Sequence, residues 1–553
     1  MKRRELVVAA LVLVFALGAG LWWKLASPAT SGAAPTAAPI ASSGVVGQGP
    51  TASTGAPSVS ASPGAGSPGG PSAGTPSGST NPATIADIPI VPVAQFRSTV
   101  DSVGRSDVQA VLAGSSSTFD ALELVSADAD AILAGLGVDR PADASRLVLA
   151  PDARALRLDL AAHRKHLAVI RAGDVDPSVK ALGWGGRSLF GVHRATTTAD
   201  WALTARLAAT APTFDPAGSW TLVAGGDIML DRGVAQTLTI RGKGADFAFD
   251  GGTAEITGTC RNCSPLGWDT PYTRRTGAGG AVRDLLQSAD IAIANFENPA
   301  PDVFRYHTSG TTFSANPKLI KGLADAGIDW VGIANNHIRD AGGVGILQTI
   351  ANLQAQGIAT SGAGKNLAAA RRPAILTADG VKVAFLAYDT IAKSYAAGPA
   401  RAGSAQMSAG ALKTDVAAAR NAGADVVIVF PHWGTEYDPT PFAGQQALAH
   451  AAIDAGADLV IGNHAHWAGA VEIYDGKPIW YALGNFVFDQ NWSIPTMEGI
   501  TLELTFSGKT LVQARMHPHV ILDKAQPNFL DPAGDGRVVL GQIYDASSGM
   551  LPW

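Results

Sequence analysis

Between residues 219 and 520, short apolar runs alternate with helical segments, and no other feature constrains this chain as strongly. The β-rich runs cover 222–224, 291–294, 330–333, 383–386, 426–430, 459–461, 479–481 and 500–506. Helical spacing appears at 281–287, 318–326, 344–356, 412–421 and 444–455. Gly327, Gly357, Gly423 and Gly456 follow four of these segments, where a helix needs a left-handed terminal residue. Such alternation predicts a layered α/β domain. In open α/β sheets the ligand crevice lies outside the carboxyl ends of the strands.

The polar residues gather at those ends. Asp227 follows the first run, and Asn295 and Glu297 follow the second. Asn335, Asn336, His337 and Asp340 follow the third. His432, Glu436 and Tyr437 come after 426–430, His464 and His466 after 459–461, and Asn485 and Asp489 after 479–481. Each alone has an ordinary reading. Gly-Asp after a strand is a turn or a helix cap, and Asn-His an Asx-turn. Together, carboxylates, amide oxygens and imidazoles are the ligand set of a divalent metal. His464-Ala465-His466 places two imidazoles on one side of an extended segment, or aims them at two metals from a tight loop. Asp227 or Glu297 has the two oxygens needed to bridge a metal pair.

The rest of the chain is organised around this domain. At 553 residues it exceeds one ordinary domain. Lys2, Arg3 and Arg4 precede eighteen uncharged residues, 6–23, that end in Trp22-Trp23. A helix of that length reaches about 27 Å, enough to cross the hydrocarbon core. We read residues 1–25 as an uncleaved transmembrane signal-anchor, with a cleaved signal peptide as the alternative. Either places the bulk of the chain outside the cytoplasm, membrane-bound in one case and secreted in the other. Residues 26–86 are nearly all Ala, Ser, Gly, Pro and Thr and read as a disordered tether. Residues 87–217 read as a small α/β or α+β domain of unassigned role, with a strand at 88–93 carrying edge-type prolines and helices at 129–136 and 202–208. In its segment AAHRKH, Asp159, His163 and His166 have metal-trio spacing, but the neighbouring Arg164 and Lys165 favour a solvated, ion-paired helix face. Residues 218–521 hold the layered domain, and 522–553 read as an extended C-terminal segment. The balance of 41 Lys+Arg against 46 Asp+Glu, with no basic block, excludes nucleic acid as a partner. Cys260 and Cys263, the only cysteines, cannot make a four-thiolate zinc site. They suit a loop disulfide outside the cytoplasm, redox function being the lesser reading. His517-Pro518-His519 reads as a surface strand feature.

Six motifs in order, GGDIML (225–230), ANFENP (294–299), GIDWVGIANNHIRDAG (327–342), FPHWGTEYDPTP (430–441), AGADLVIGNHAHW (455–467) and IWYALGNFVFD (479–489), resemble the CapA-type poly-γ-glutamate capsule-biosynthesis proteins, relatives of the calcineurin-like metallophosphoesterases. The resemblance covers about half of the chain. It implies a four-layer α/β/β/α sandwich holding one or two divalent ions (Mn, Fe, Zn or Ca). It implies Asp227, Glu297, Asn336, His432, His464 and His466 as metal ligands, with Glu297 bridging. His337 would protonate a leaving group, and Asn295, Asp340, Glu436 and Asn485 would orient substrate or ligands. Two departures stand out: Asp227-Ile228-Met229 lacks the superfamily's second imidazole, and Asn463 sits between Gly462 and His464. The function implied is hydrolysis of an anionic polymer such as poly-γ-glutamate, or of another envelope substrate, during its synthesis, release or export. The alternative is a non-catalytic accessory that binds the polymer or the synthase and export subunits.

Overall fold

The computed structural model describes residues 84–209 and 214–551, all within one compact unit, Ser79–Trp553. The expected anchor and nearly all of the expected tether lie outside the described residues. Among those described, no helix is long and apolar enough to cross a membrane.

In the small lobe the strands are β1 (Ile85–Gln95), β2 (Ala121–Val125), β3 (Leu147–Ala150), β4 (His166–Arg171), β5 (Val179–Ala181) and β6 (Thr204–Ala208). They form one mixed sheet in the order β3-β2-β4-β1-β5, with β6 also pairing with β1. Helices α1 (Arg105–Leu112), α2 (Ala129–Leu136) and α3 (Ala153–Ala162) bury Val108, Ile132, Leu133, Leu156 and Leu160 in a core with Val91, Leu122 and Val169. Two expectations are corrected here. The proline-bearing strand is central, not an edge: β1 pairs with β4 on one side and with β5 and β6 on the other. It accommodates Pro92 because that residue's carbonyl, which proline keeps, accepts Leu182 N at 2.8 Å. The expected helix at 202–208 is strand β6, in which Ala205 and Leu207 are buried and Arg206 is exposed, the period of two.

The large domain continues with β7 (Ser219–Ile228), a hairpin of β8 (Ala254–Cys260) and β9 (Thr270–Arg275), then α4 (Ala281–Gln287), β10 (Ile291–Phe296), α5 (Ile320–Asp325), β11 (Trp330–Gly332), α6 (Gly342–Ala355) and β12 (Ala359–Ser361). Next come β13 (Ala374–Ala378), β14 (Val381–Asp389), α7 (Ala409–Asn421), β15 (Val426–His432), α8 (Ala443–Asp454), β16 (Leu459–Ile461), β17 (Val471–Tyr474) and β18 (Lys477–Trp480). Strands β19 (Asn485–Val487), β20 (Glu498–Ser507), β21 (Thr510–Leu522) and β22 (Gln526–Phe529) precede α9 (Gly536–Ala546). The first sheet runs β12-β11-β10-β7-β20-β21-β22, with β19 beside β7, and the second β13-β14-β15-β16-β18-β17. Three apolar layers hold them. Val223, Ala292 and Val331 pack under Leu286, Leu323 and Leu353 of α4, α5 and α6. Leu222, Ile293 and Trp330 of the first sheet meet Phe385, Ile428 and Ile461 of the second. Ala384, Val427 and Val460 pack under Leu412 and Ile453 of α7 and α8. The order is helix, sheet, sheet, helix.

Strands β7, β10 and β11 are mutually parallel, as are β14, β15, β16 and β18, so their carboxyl ends share one edge. The segment after residue 522 is not extended as expected. Its strand β22 and helix α9 bury Val539, Leu540 and Ile543 in the layer between the sheets, an apolar spacing of three and four that suits a helix.

The small lobe docks on β20 and β21 through polar groups. Val192 N donates to Glu503 Oε1 (2.6 Å), Gly191 N to Thr505 Oγ1 (2.9 Å) and Ala181 N to Gln513 Oε1 (2.6 Å). Burial opposes ionisation of Glu503, but the hydrogen bond and charge of His517, the charge of Arg515 and the Val192 amide outweigh it and hold the carboxyl at about 2, below its ordinary 4.5. A depressed carboxylate stabilises the fold above the unfolded value and loses that contribution as pH falls through the folded one. The window is therefore 4.5 down to about 2, and the contribution is on the order of 3 kcal/mol. Urea unfolding of the full chain across this window should show stability falling with pH. Glu503→Gln should be less stable at neutral pH and show a flatter acid slope.

Candidate metal centre

Each side chain of the site leaves a strand end. Strand β7 delivers Asp227 by passing so close to the 484 turn that a Cβ on Gly226 would lie 1.9 Å from the Gly484 carbonyl oxygen, so only glycine fits. Strand β10 delivers Asn295 and, one residue past its end, Glu297; the loop after β11 delivers Asn335, Asn336 and His337. In the second sheet β15 ends on His432, and the loop after β16 carries His464 and His466. Both of these histidines take positive φ, 92° and 58°, a conformation costing roughly 1–3 kcal/mol for a non-glycine residue. The turn that holds them is tied to the first sheet, because His464 N donates to Asp227 Oδ2 at 3.2 Å.

Asp227, Glu297, Asn295, His432, His464 and His466 are all buried. Glu297 lies at the centre. Its Oε1 is 3.6 Å from His432 Nε2, 3.8 Å from His466 Nε2 and 4.0 Å from His337 Nε2. Neither of its oxygens has a hydrogen-bond partner among the described residues. Burial, then the charges of Asp227 and Glu436, push its carboxyl well above the ordinary range. Burial and the neighbouring imidazoles push His432 and His464 well below theirs. A buried, unpaired carboxylate beside deprotonated imidazoles is costly by itself and is satisfied by a cation. Two groups of close ligand atoms share Glu297: Asp227, Glu297 and His466, and Glu297, His432 and His464. These residues therefore fit a divalent metal, and Glu297 would be common to both groups of ligands. Exposed Glu436, expected to orient substrate or ligands, instead forms a third group of close ligand atoms with His464 and His466.

Surrounding groups fix the ligands. Asn295 Nδ2 donates to Asp227 Oδ1 (2.7 Å) and lies 3.1 Å from His432 Nδ1. Asn336 Oδ1 is 2.8 Å from His432 Nε2. His466 Nδ1 is 2.8 Å from Asn485 Oδ1, leaving Nε2 toward Glu297; such a partner sets the tautomer and aim of a metal-binding imidazole. His337 Nδ1 lies 3.0 Å from Asp340 Oδ2, and Asp340 also accepts from Tyr395 Oη (2.9 Å) and Phe313 N (2.8 Å). Met229, the residue noted for lacking an imidazole, lies in the core, and its Sδ accepts from Asp231 N at 3.0 Å.

Sequence reasoning passed over Asp231, Arg232 and His307. Asp231 is buried, pairs with His307 Nδ1, and accepts from His307 N (2.9 Å) and Ser314 N (2.8 Å), which anchors the loop after β10. Arg232 pairs with Asp489 and lies over the Phe313 ring, 4.8 Å from its centroid, so Asp489 serves this arginine. The available signal was a charged Asp-Arg pair directly after GGDIML. Cys260 and Cys263 are disulfide-bonded at the end of β8. His519 is not at the surface as expected. It is buried, with its imidazole pushed down to about 4 by burial, and its Nε2 is 2.9 Å from the Asn485 carbonyl, supporting the His466 partner from below.

A family model described as bacterial capsule synthesis protein PGA_cap matches residues 221–490. The capsule biosynthesis protein CapA of Bacillus anthracis is 34% identical over 220 residues, 38% of this chain and 54% of that protein. The PGA biosynthesis protein CapA of Bacillus subtilis is 34% identical over 216 residues, 38% and 57%. The chain thus spans little more than half the length of these relatives. A protein of Mycobacterium tuberculosis named "Probable polyglutamine synthesis accessory protein" is 33% identical over 290 residues, 49% of this chain and 74% of that protein. Among solved structures, a calcineurin-like phosphoesterase of Bacillus subtilis aligns at 13% identity with a TM-score of 0.31, over 59% of this chain and 96% of that one.

The buried, unpaired carboxyl of Glu297 gives a testable signature. Under chelation, Glu297→Gln should melt at a higher temperature than wild type, by a stability gain of about 1–4 kcal/mol. On adding Mn or Zn the order should reverse, because only wild type gains metal-binding energy. Thermal melts with chelator and with metal check this.

Proposed function

The chain belongs to the family of bacterial capsule synthesis proteins, and from that membership we propose that it performs metal-dependent hydrolysis on an anionic polymer of the poly-γ-glutamate kind. The observation that carries this reading is the buried, unpaired Glu297 carboxylate shared by two ligand groups, with His337 at its edge. Asp227, Glu297, Asn336, His432, His464 and His466 would hold the metal, which supplies Lewis-acid polarisation of the scissile ester or amide and stabilises its developing negative charge.

The chain's own residues do the rest. The Asp340 carboxylate accepts the Nδ1 proton of His337, which leaves Nε2 pointing at the centre. When the imidazole is protonated, Nε2 donates to the departing oxygen or nitrogen as general acid. Tyr395 and the Phe313 amide keep Asp340 in place, and the Phe313 ring packs on His337 with centroids 4.1 Å apart. Asn295 and Asn485 orient Asp227, His432 and His466. We assign the folded part to the outside of the cell membrane, tethered through residues 1–86. The Cys260–Cys263 disulfide supports that side, since such bonds persist outside the cytoplasm.

Met229 favours a second reading, in which a ligand-poor first metal position makes the protein a non-catalytic accessory that binds the polymer. Metal analysis and polymer-shortening assays on the purified full-length protein separate the two. Hydrolysis predicts that His464→Ala loses metal, and that His337→Ala keeps metal while turnover falls by about 10²–10⁴. Equal polymer lengths with wild type and His337→Ala, metal being present in both, would select the accessory reading. Wild type without stoichiometric metal would overturn the metal centre.

A further inference from the structure

The small lobe carries a separate convergence of ligand atoms. Asp159 sits in the last turn of α3, His163 caps that helix, His166 opens β4 and Glu123 lies in the middle of β2. The AAHRKH segment is therefore not one helix face: the helix ends at Ala162, and the turn after it folds both imidazoles back over Asp159. His163 Nδ1 is 3.0 Å and His166 Nδ1 3.3 Å from the same oxygen, Asp159 Oδ2. The two rings stack at 4.7 Å and 11°. Strands β2 and β4 pair in parallel with Ala121 opposite His166, so Glu123, two residues on from Ala121, faces the same side. Its Oε2 lies 3.5 Å from His166 Nδ1.

Three polar atoms in this cluster are buried and unpaired. Glu123 is 0% exposed, and neither of its oxygens has a hydrogen-bond partner among the described residues, nor does His166 Nδ1. A carboxylate buried this way inside a β-sheet costs several kcal/mol unless a cation meets it. Arg164 and Lys165, the nearest cations in sequence, are exposed and form no ion pair with Glu123. The carboxyl end of a helix also favours positive charge.

We propose that Glu123, Asp159, His163 and His166 bind one divalent ion of the zinc class, a structural site that pins the end of α3 to β2 and β4. Two imidazole nitrogens and two carboxylate oxygens suit zinc better than calcium or magnesium, which take oxygen ligands. Four protein ligands close the coordination shell, as in structural rather than catalytic zinc sites. This site is independent of the strand-end centre.

Zinc content and zinc affinity of the full-length chain test the proposal, in the wild-type background and in a His464→Ala background. His163 is exposed, so His163→Ala should keep the fold, as circular dichroism will show. It should lose one zinc per chain in both backgrounds, with affinity at this site weakened at least 100-fold; loss of an outer-shell partner alone costs about 10–100-fold. Glu123→Leu should lose the same zinc. With cobalt in place of zinc, His163→Cys should add a thiolate-to-metal absorption band. Zinc content of His163→Ala and Glu123→Leu equal to the parent's, or no thiolate band in His163→Cys, overturns the site.

Discussion

Two carboxylates, Asp227 and Glu297, are held out of water at the joined ends of two sheets, and the local structure is arranged around that cost. Asp227 is satisfied by the Asn295 amide and the His464 backbone N–H. Glu297 is not satisfied by any described protein donor. Nothing about packing calls for such a group. An apolar residue of similar volume would be cheaper there, so its presence fits the binding of a cation at that position. The same loop carries the strained backbone of His464 and His466, both at positive φ.

The scaffold makes this affordable. Three apolar layers hold the sheets so that side chains from β7, the end of β10, β15 and the loop after β16 converge on one point. The C-terminal strand and helix belong to this scaffold, since α9 closes the layer between the sheets and β22 pairs with β21, whose His519 contacts the Asn485 carbonyl. The small lobe is joined to the far end of the same sheet through Glu503, Thr505 and Gln513, remote in sequence from the ligands. Strand β20 of that sheet pairs with β7, the strand that delivers Asp227.

Much of this was legible in the residues. Apolar periodicity located the strands and helices of the large domain, and the four capping glycines have positive φ, 87°, 81°, 89° and 100°. The clustering of these side chains was legible because strand ends in an α/β sheet share one edge, where Asp, Asn, Glu and His in succession meet. Local pattern failed where tertiary pairing overrode it. Prolines marked an edge strand but fell in a central one, because a ladder position that uses only the carbonyl tolerates proline. A short run at 202–208 fitted either period, and pairing with β1 decided for strand.

The sequence by itself therefore determined the element types of the large domain, their order and the chemistry at their ends, because these depend on side-chain periodicity and turn residues a few positions apart. Only the tertiary structure decided which atoms meet. His464 N and Asp227 are 237 residues apart, and Glu123 reaches His166 only because β2 and β4 are neighbours in the sheet. Strand order is set by packing of whole faces and by crossover connections, which no local pattern encodes. It turned one expected solvated helix face into a cluster of two imidazoles and Asp159 beside the buried Glu123 carboxyl.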